Sequence, residues 1–172
     1  MKNSFTLPAL AIAGMMVCGL AHAVDGTVNF TGAILDTACT VSPAAVPVNM
    51  GTLTSAGFSG VGATPGFTEF AITLTACPAT LTTAEVIFSG TADPADATVL
   101  GLTAGANTAS GVGIALFEAD STTRVNLGSA SAAQPITTAG GTLSFIAKYI
   151  QTATPIVEGD ANATATFILQ YR

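Results

Sequence analysis

The sequence predicts an all-β domain, a sandwich of about seven to nine short strands. Three observations carry this. Ala, Thr, Gly and Val dominate while charged residues make up only 8% of the chain, so few residues remain for the outer faces of surface helices. Apolar residues recur at every second position in several stretches of strand length. Gly, Pro, Asp and Ser clusters punctuate those stretches at regular spacing, as in an immunoglobulin-like sandwich. The 172 residues suffice for one such domain with its own core, and neither an internal repeat nor a linker divides them.

The chain opens with a segment that reads as removable. Met1-Lys2 is a short charged start, Phe5 to Leu20 is an apolar run, and Ala21-His22-Ala23 has the small-x-small form of a signal-peptidase site. A membrane anchor is the rival reading, but Pro8, Gly14 and Gly19 interrupt a run already short for a span. Val17 before Cys18 is too bulky for a lipoprotein site. Residues 1–23 are therefore expected to be a signal peptide, and no later segment is long and apolar enough to span a membrane. Cleavage after Ala21 would lengthen the mature chain by two residues.

The stretch from Val24 to Cys39 alternates as a strand, with Val28, Phe30 and Ile34 on one side and Thr27, Asn29 and Thr31 on the other. A leading strand of this kind needs a sheet edge; the residues alone favour an ordinary edge within its own chain, and the other reading, expected once the resemblance below is weighed, is an edge that belongs to another copy of the chain. After Thr40-Val41, Pro43 and Pro47 mark a turn-rich passage. Val46, Val48 and Met50 alternate around them as an edge strand, where proline is tolerated. Residues 51–66 form a small-residue loop with room for one short turn.

Residues 67–77 read as a strand with Phe70, Ile72, Leu74 and Ala76 on one face, ended by Pro78. Residues 84–90 follow, with Val86 and Phe88 inward, and then an Asp93-Pro94-Ala95-Asp96 turn. Val99 to Leu102 is a short apolar piece before a loop over 103–110. Residues 111–118 form a strand through Val112, Ile114 and Leu116. Arg124 to Leu127 returns antiparallel after a turn, and 128–141 is loop. Leu143, Phe145, Ala147 and Tyr149 mark a strong strand over 142–151. Residues 161–172 alternate almost without fault: Ala161, Ala163, Ala165, Phe167, Leu169 and Tyr171 face in, and Ile168 is the exception.

Removing the leader limits the chemistry. His22, the only histidine, leaves with it, and so does Cys18. Neither a Ser-His-Asp nor a Cys-His arrangement can then be built. A metal site would rest on carboxylates alone. Asp93 and Asp96 could hold calcium, but an ordinary turn explains them, and no carboxylate pair sits in a glycosidase-like motif. Asn29-Phe30-Thr31 and Asn162-Ala163-Thr164 match the glycosylation pattern by chance. No cofactor is expected, and the chain reads as non-enzymatic. Loss of Lys2 leaves three basic residues (Arg124, Lys148, Arg172) against ten acidic ones, a net charge of −7, which makes nucleic acid and anionic lipid poor partners. Cys39 and Cys77 remain as an even pair in an exported chain, so a disulfide is the default and two buried thiols the alternative. Closing that loop would stabilise the fold by about 4 kcal/mol in the chain-entropy model.

These residues, taken together, resemble the subunits of chaperone–usher pili, such as the type 1 fimbrial major subunit. Gly26-Thr27-Val28-Asn29-Phe30-Thr31-Gly32 followed by Cys39 is similar to that family's N-terminal extension. Cys77 at the end of a strand matches its disulfide. Tyr171 matches its penultimate tyrosine, Gly159 its glycine fourteen places from the end, and Lys148-Tyr149 its penultimate-strand pattern. The resemblance covers the whole chain. It implies an incomplete immunoglobulin-like sandwich lacking its last strand, with residues 24–37 as a donor-strand extension and 38–172 as the pilin domain. It also implies a structural subunit that supports adhesion, exported through the periplasm to a surface fimbria. A periplasmic chaperone would fill the open groove first, gripping Arg172 and zipping along Phe167, Leu169 and Tyr171, with Gly159 part of the same recognition stretch. At an outer-membrane usher, Val28 and Phe30 of the next subunit, a copy of this chain or another pilin, would replace it, with Gly26 allowing close approach and Ile34 continuing the inward face. An extension that starts at Val24 is shorter than the family's usual one. The alternative is a single-domain secreted adhesin or carbohydrate-binding sandwich; the family's adhesins carry an additional lectin domain, for which this chain has no room.

Overall fold

Strand formation follows the period-2 pattern wherever a lateral neighbour exists. A computed structural model of the protein describes residues 27–32, 34 and 38–172. The signal-peptide reading, both cleavage points and Gly26 lie outside the described residues. The chain divides by its contacts into two units, Met1–Ile34 and Leu35–Arg172. In the first, residues 27–32 carry no ladder pairing, and the side chains of Val28, Phe30 and Ile34 are exposed.

The second unit holds two antiparallel sheets, the expected all-β sandwich. Its strands are β1 (Thr40–Val41), β2 (Thr68–Thr75), β3 (Thr83–Gly90), β4 (Val112–Glu118), β5 (Arg124–Val125), β6 (Gln134–Pro135), β7 (Gly140–Gln151) and β8 (Ala165–Tyr171). One sheet runs β1-β2-β7-β4-β5 and the other β6-β3-β8. A single 3-10 turn at Ser55–Gly57 interrupts the long loop after β1.

The inward positions meet between the sheets. Ile72 and Leu74 of β2, Val86 and Phe88 of β3, Ile114 and Leu116 of β4, and Leu143 and Phe145 of β7 form one buried cluster. Phe88 and Phe145 cross edge to face with centroids 5.1 Å apart, a preferred aromatic geometry. Leu100, from the short apolar piece at 99–102, bridges to Ala92 on one side and Ile114 on the other, and so closes the space between the sheets. Cys39 and Cys77 are disulfide-bonded, with Cα atoms 4.2 Å apart, and tie the entry of β1 to the exit of β2.

Three expectations shift. Residues 46–50 join no ladder, although Val46, Val48 and Met50 still pack against the core. The last strand begins at Ala165 and not at Ala161, because β3 ends at Gly90, its partner. The expected loop over 128–141 contains β6, whose two residues pair with Thr83 and Ala84, and the first residues of β7.

Candidate functional site

β8 forms because Phe167, Leu169 and Tyr171 share one side at strand period and β3 offers seven consecutive partners, from Ala84–Tyr171 to Gly90–Ala165. Its end is tightly held. Arg172 N donates to Thr83 O and Thr83 N donates to Arg172 O, both at 3.0 Å. Thr82 N donates to the same Arg172 oxygen at 3.0 Å. An antiparallel ladder alternates bonded and non-bonded pairs. The bonded pairs are therefore Glu85–Gln170, Ile87–Ile168 and Ser89–Thr166. The backbone groups of Ala165, Phe167, Leu169 and Tyr171 consequently point away from β3, along an edge with no partner in the sheet.

That edge is unlike the others. Among the described residues, the remaining sheet edges are β1, β5 and β6, each two residues long, and β6 contains Pro135. Short edges and proline are the usual protection against unwanted pairing. β8 is seven residues long and has neither.

Beside β8 lies an apolar groove of about 870 Å³. One wall is the segment 161–167 and the other runs from Val41 at the end of β1 through the segment 44–51, which joins no ladder. Phe70, Ile72, Phe88, Leu100, Ile114, Leu116, Ala147 and Tyr149 form the floor. The groove is half-open and lies between β8 with its approach on one side and the segment after β1 on the other, as when one strand of a sandwich is missing. Tyr171, near the end of β8, lies beyond the groove lining, close to the Cys39 backbone. Burial pushes the Tyr171 phenol up, and a hydrogen bond with that backbone opposes the shift. Tyr149 also titrates high through burial, and its hydroxyl donates to Ala161 O at 3.4 Å.

The expected site residues distribute as follows. Phe167, Leu169 and Tyr171 share one inward face and are half-buried against the core. Arg172 sits at the end of β8, its guanidinium 3.2 Å from Glu85. Gly159 lies outside the groove lining. A Cβ there would sit 2.2 Å from Asn107 O and 2.7 Å from Ala109 N, so only glycine allows the loop before β8 to pass this close. Val28, Phe30 and Ile34 lie in the first unit, and Gly26 is outside the described residues. Asp93 accepts from Ala95 N, Asp96 N and the Thr152 hydroxyl, and Asp96 accepts from Thr98 and Arg124, so both carboxylates serve the turn. The second wall was only partly legible: Val46, Val48 and Met50 signalled an inward face, but nothing local said what it faces.

Comparison with known proteins points in one direction. Residues 28–172 match the family described as Fimbrial protein. The chain is 37% identical over 154 residues to the fimbrial subunit type 1 of Salmonella typhimurium, covering 86% of this chain and 83% of that one. It is 42% identical to a solved antigen and type I fimbria protein of Burkholderia pseudomallei, with a TM-score of 0.61, covering 85% of this chain and 97% of that one. The solved P pilus rod subunit PapA shares the fold at 21% identity, with a TM-score of 0.65, covering 79% of this chain and 100% of that one.

Proposed function

The chain belongs to the fimbrial protein family, and we propose that it polymerises by donating its leading segment to the groove of a neighbouring subunit. It is a structural subunit of a cell-surface fimbria. The observation that carries the exchange mechanism is the unprotected seven-residue edge of β8 beside an apolar groove. An extended strand placed there would take backbone hydrogen bonds from the free side of β8 and bury alternate side chains on the floor. This is strand addition, of which chaperone–pilin complementation is a known case. Backbone pairing supplies affinity, and the alternate side chains fix register.

Val28, Phe30 and Ile34 have the spacing and the apolar character to fill the floor, and Gly26 would let the donor backbone come close. In this reading residues 1–23 are the signal peptide, 24–37 the donor extension and 38–172 the accepting domain. Before assembly a periplasmic chaperone holds the groove, engaging Arg172, Phe167, Leu169 and Tyr171, and an outer-membrane usher is where the next subunit displaces it. Gly159 acts by positioning the approach to β8. The role is structural and not catalytic, and adhesion follows from the polymer.

The test moves residues 24–37 to the C-terminus through a short linker and deletes them from the start. The rearranged protein is expected to be a soluble monomer that melts in one sharp transition, above a parent that aggregates or polymerises. A parent that is already a stable monomer, and that unfolds when the segment is moved, would refute strand exchange.

A further inference from the structure

The basic side chains among the described residues are Arg124, Lys148 and Arg172, and the first two are engaged on the five-stranded sheet. Arg124 lies 3.0 Å from Asp96. Lys148 Nζ donates to Ser121 O at 2.8 Å and lies 4.5 Å from the centre of the Phe117 ring. Arg172 differs. Its side chain is 72% exposed, at the end of β8 and beside the free edge. It is nevertheless fixed from below. Glu85 is only 6% exposed, and the Arg172 guanidinium, 3.2 Å from its Oε2, is the charge that offsets its burial. Arg172 O accepts from the N–H groups of Thr82 and Thr83 at 3.0 Å and from the Thr82 hydroxyl at 3.2 Å. A guanidinium carries five N–H donors in a rigid fork, so a single carboxylate leaves several of them open to solvent.

An added strand would meet this cation at a definite place. Every ladder in the domain is antiparallel, so a strand laid along β8 in the same sense starts beside the end of β8. Residues directly opposite one another share a face, so Val28, Phe30 and Ile34 must lie opposite inward residues of β8 and its approach. Alternation alone leaves several such registers equal, because a slip of two residues returns every side chain to its own face. One register sets Val28 opposite Leu169, Phe30 opposite Phe167 and Ile34 opposite Ala163. Asp25 lies outside the described residues, and its place in the joint follows from its position in the sequence. In this register it comes opposite Arg172, on the outer face with Thr27 and Asn29, in a non-hydrogen-bonded pair, where cross-strand side chains approach closest. Asp36, of inward parity, comes opposite Ala161, the first residue of that wall. A slip one way carries Asp36 opposite Ala163, further into a lining that holds no charged side chain, where an unpaired charge is strongly unfavourable. A slip the other way sets Asp25 opposite Gln170 and leaves the cation unused.

We propose that Arg172 is the register point of the joint: oriented by Glu85, its guanidinium receives the Asp25 carboxylate of the incoming copy, and this ion pair selects one register among those that apolar alternation leaves equal. The proposal rests on the strand-exchange reading. Burial of the inward side chains holds the strand, and the ion pair chooses where it stops. The pair lies on the outer face in water, so its effect is small and screened by salt.

The test uses the full chain purified after secretion and a peptide of residues 24–37 blocked at both ends to remove terminal charges. Asp25→Asn in the peptide is expected to weaken capture about threefold at low salt, and the gap should close at about 1 M salt. Arg172→Gln alone would leave Glu85 buried without its counter-charge. The acceptor variant therefore carries Glu85→Gln and Arg172→Gln together, and it should bind the two peptides alike. Register is read by cross-linking. A peptide with Asn29→Cys should form a disulfide with the Ile168→Cys protein about tenfold more readily than with the Thr166→Cys protein. Adding Asp25→Asn to that peptide should lower the preference about threefold. Equal capture of the parent and Asp25→Asn peptides at low salt, or preferred cross-linking at Thr166→Cys, would overturn the register point and leave strand exchange standing. Failure of the parent peptide to be captured at all would overturn both.

Discussion

β7 and β8 have nearly the same sequence character and very different surroundings. Both carry apolar residues at every second position on their inward face, and in both the other face is mixed, with Ile146 and Ile150 in β7 and Ile168 in β8. β7 lies between β2 and β4 and is paired on both sides, and its inward Leu143 and Phe145 are 0% and 1% exposed. β8 pairs only with β3, and its inward Phe167, Leu169 and Tyr171 remain half-buried while Ala165 is exposed. Period-2 alternation thus specifies which face a side chain takes and not how many strands lie beside it. The second neighbour of β8 is the missing part of the fold, and the groove is its imprint.

The largest expected effect breaks the closed side. Phe145→Ala removes a ring packed against Phe70 and Phe88, with centroids 5.7 and 5.1 Å away. It should cost about 3–5 kcal/mol in denaturant unfolding, because the surrounding strands are held on both sides and cannot collapse into the cavity. A loss below about 1 kcal/mol would mean that β7 is not the centre of the core.

Phe167→Ala sharpens the contrast. In the isolated subunit the ring already meets solvent, so the loss should be only about 1 kcal/mol. In the strand-completed form, where the same ring is covered, the loss should rise to about 2–3 kcal/mol. Equal losses in the two forms would show that the groove is not filled at Phe167.

The smallest effect lies at the turn between β4 and β5, on the closed sheet. Asp120 accepts from the Thr123 hydroxyl at 2.5 Å and from the N–H groups of Thr123 and Thr122 at 2.8 Å. These bonds, the Thr123 hydroxyl foremost, lower its carboxyl to about 2. A carboxyl lowered in the folded state adds stability that is present above its unfolded value of 3.8 and is lost as the pH falls through about 2. Asp120→Asn should therefore flatten the melting temperature between those two limits and leave donor uptake unchanged. An unchanged acid limb would show that the turn does not hold the ionised form.

Much of the sandwich was legible from the chain. β2, β3, β4 and β7 lie where Ile72 and Leu74, Val86 and Phe88, Ile114 and Leu116, and Leu143 and Phe145 alternate. β6 was not, because Gln134–Pro135 has no periodicity of its own and is a strand only by lying against Thr83 and Ala84. The inward face of the last strand was readable through Phe167, Leu169 and Tyr171. The opposite wall was not: Val46, Val48 and Met50 signalled an edge, yet they face the groove without joining a sheet. Gly159 showed itself in the sequence only as a spacing, and its steric reason, the backbone of Asn107 and Ala109, is a contact across some fifty residues.

By itself the sequence determined the strand class, the facing of most strand side chains and the cysteine pair, since all of these follow from residue type and local period. Only the tertiary structure decided which edges are short, which one stays open, and that an uncharged floor lies beneath it. Those are lateral relations between segments far apart in the chain, and alternation along one strand carries no information about the strand that should lie next to it.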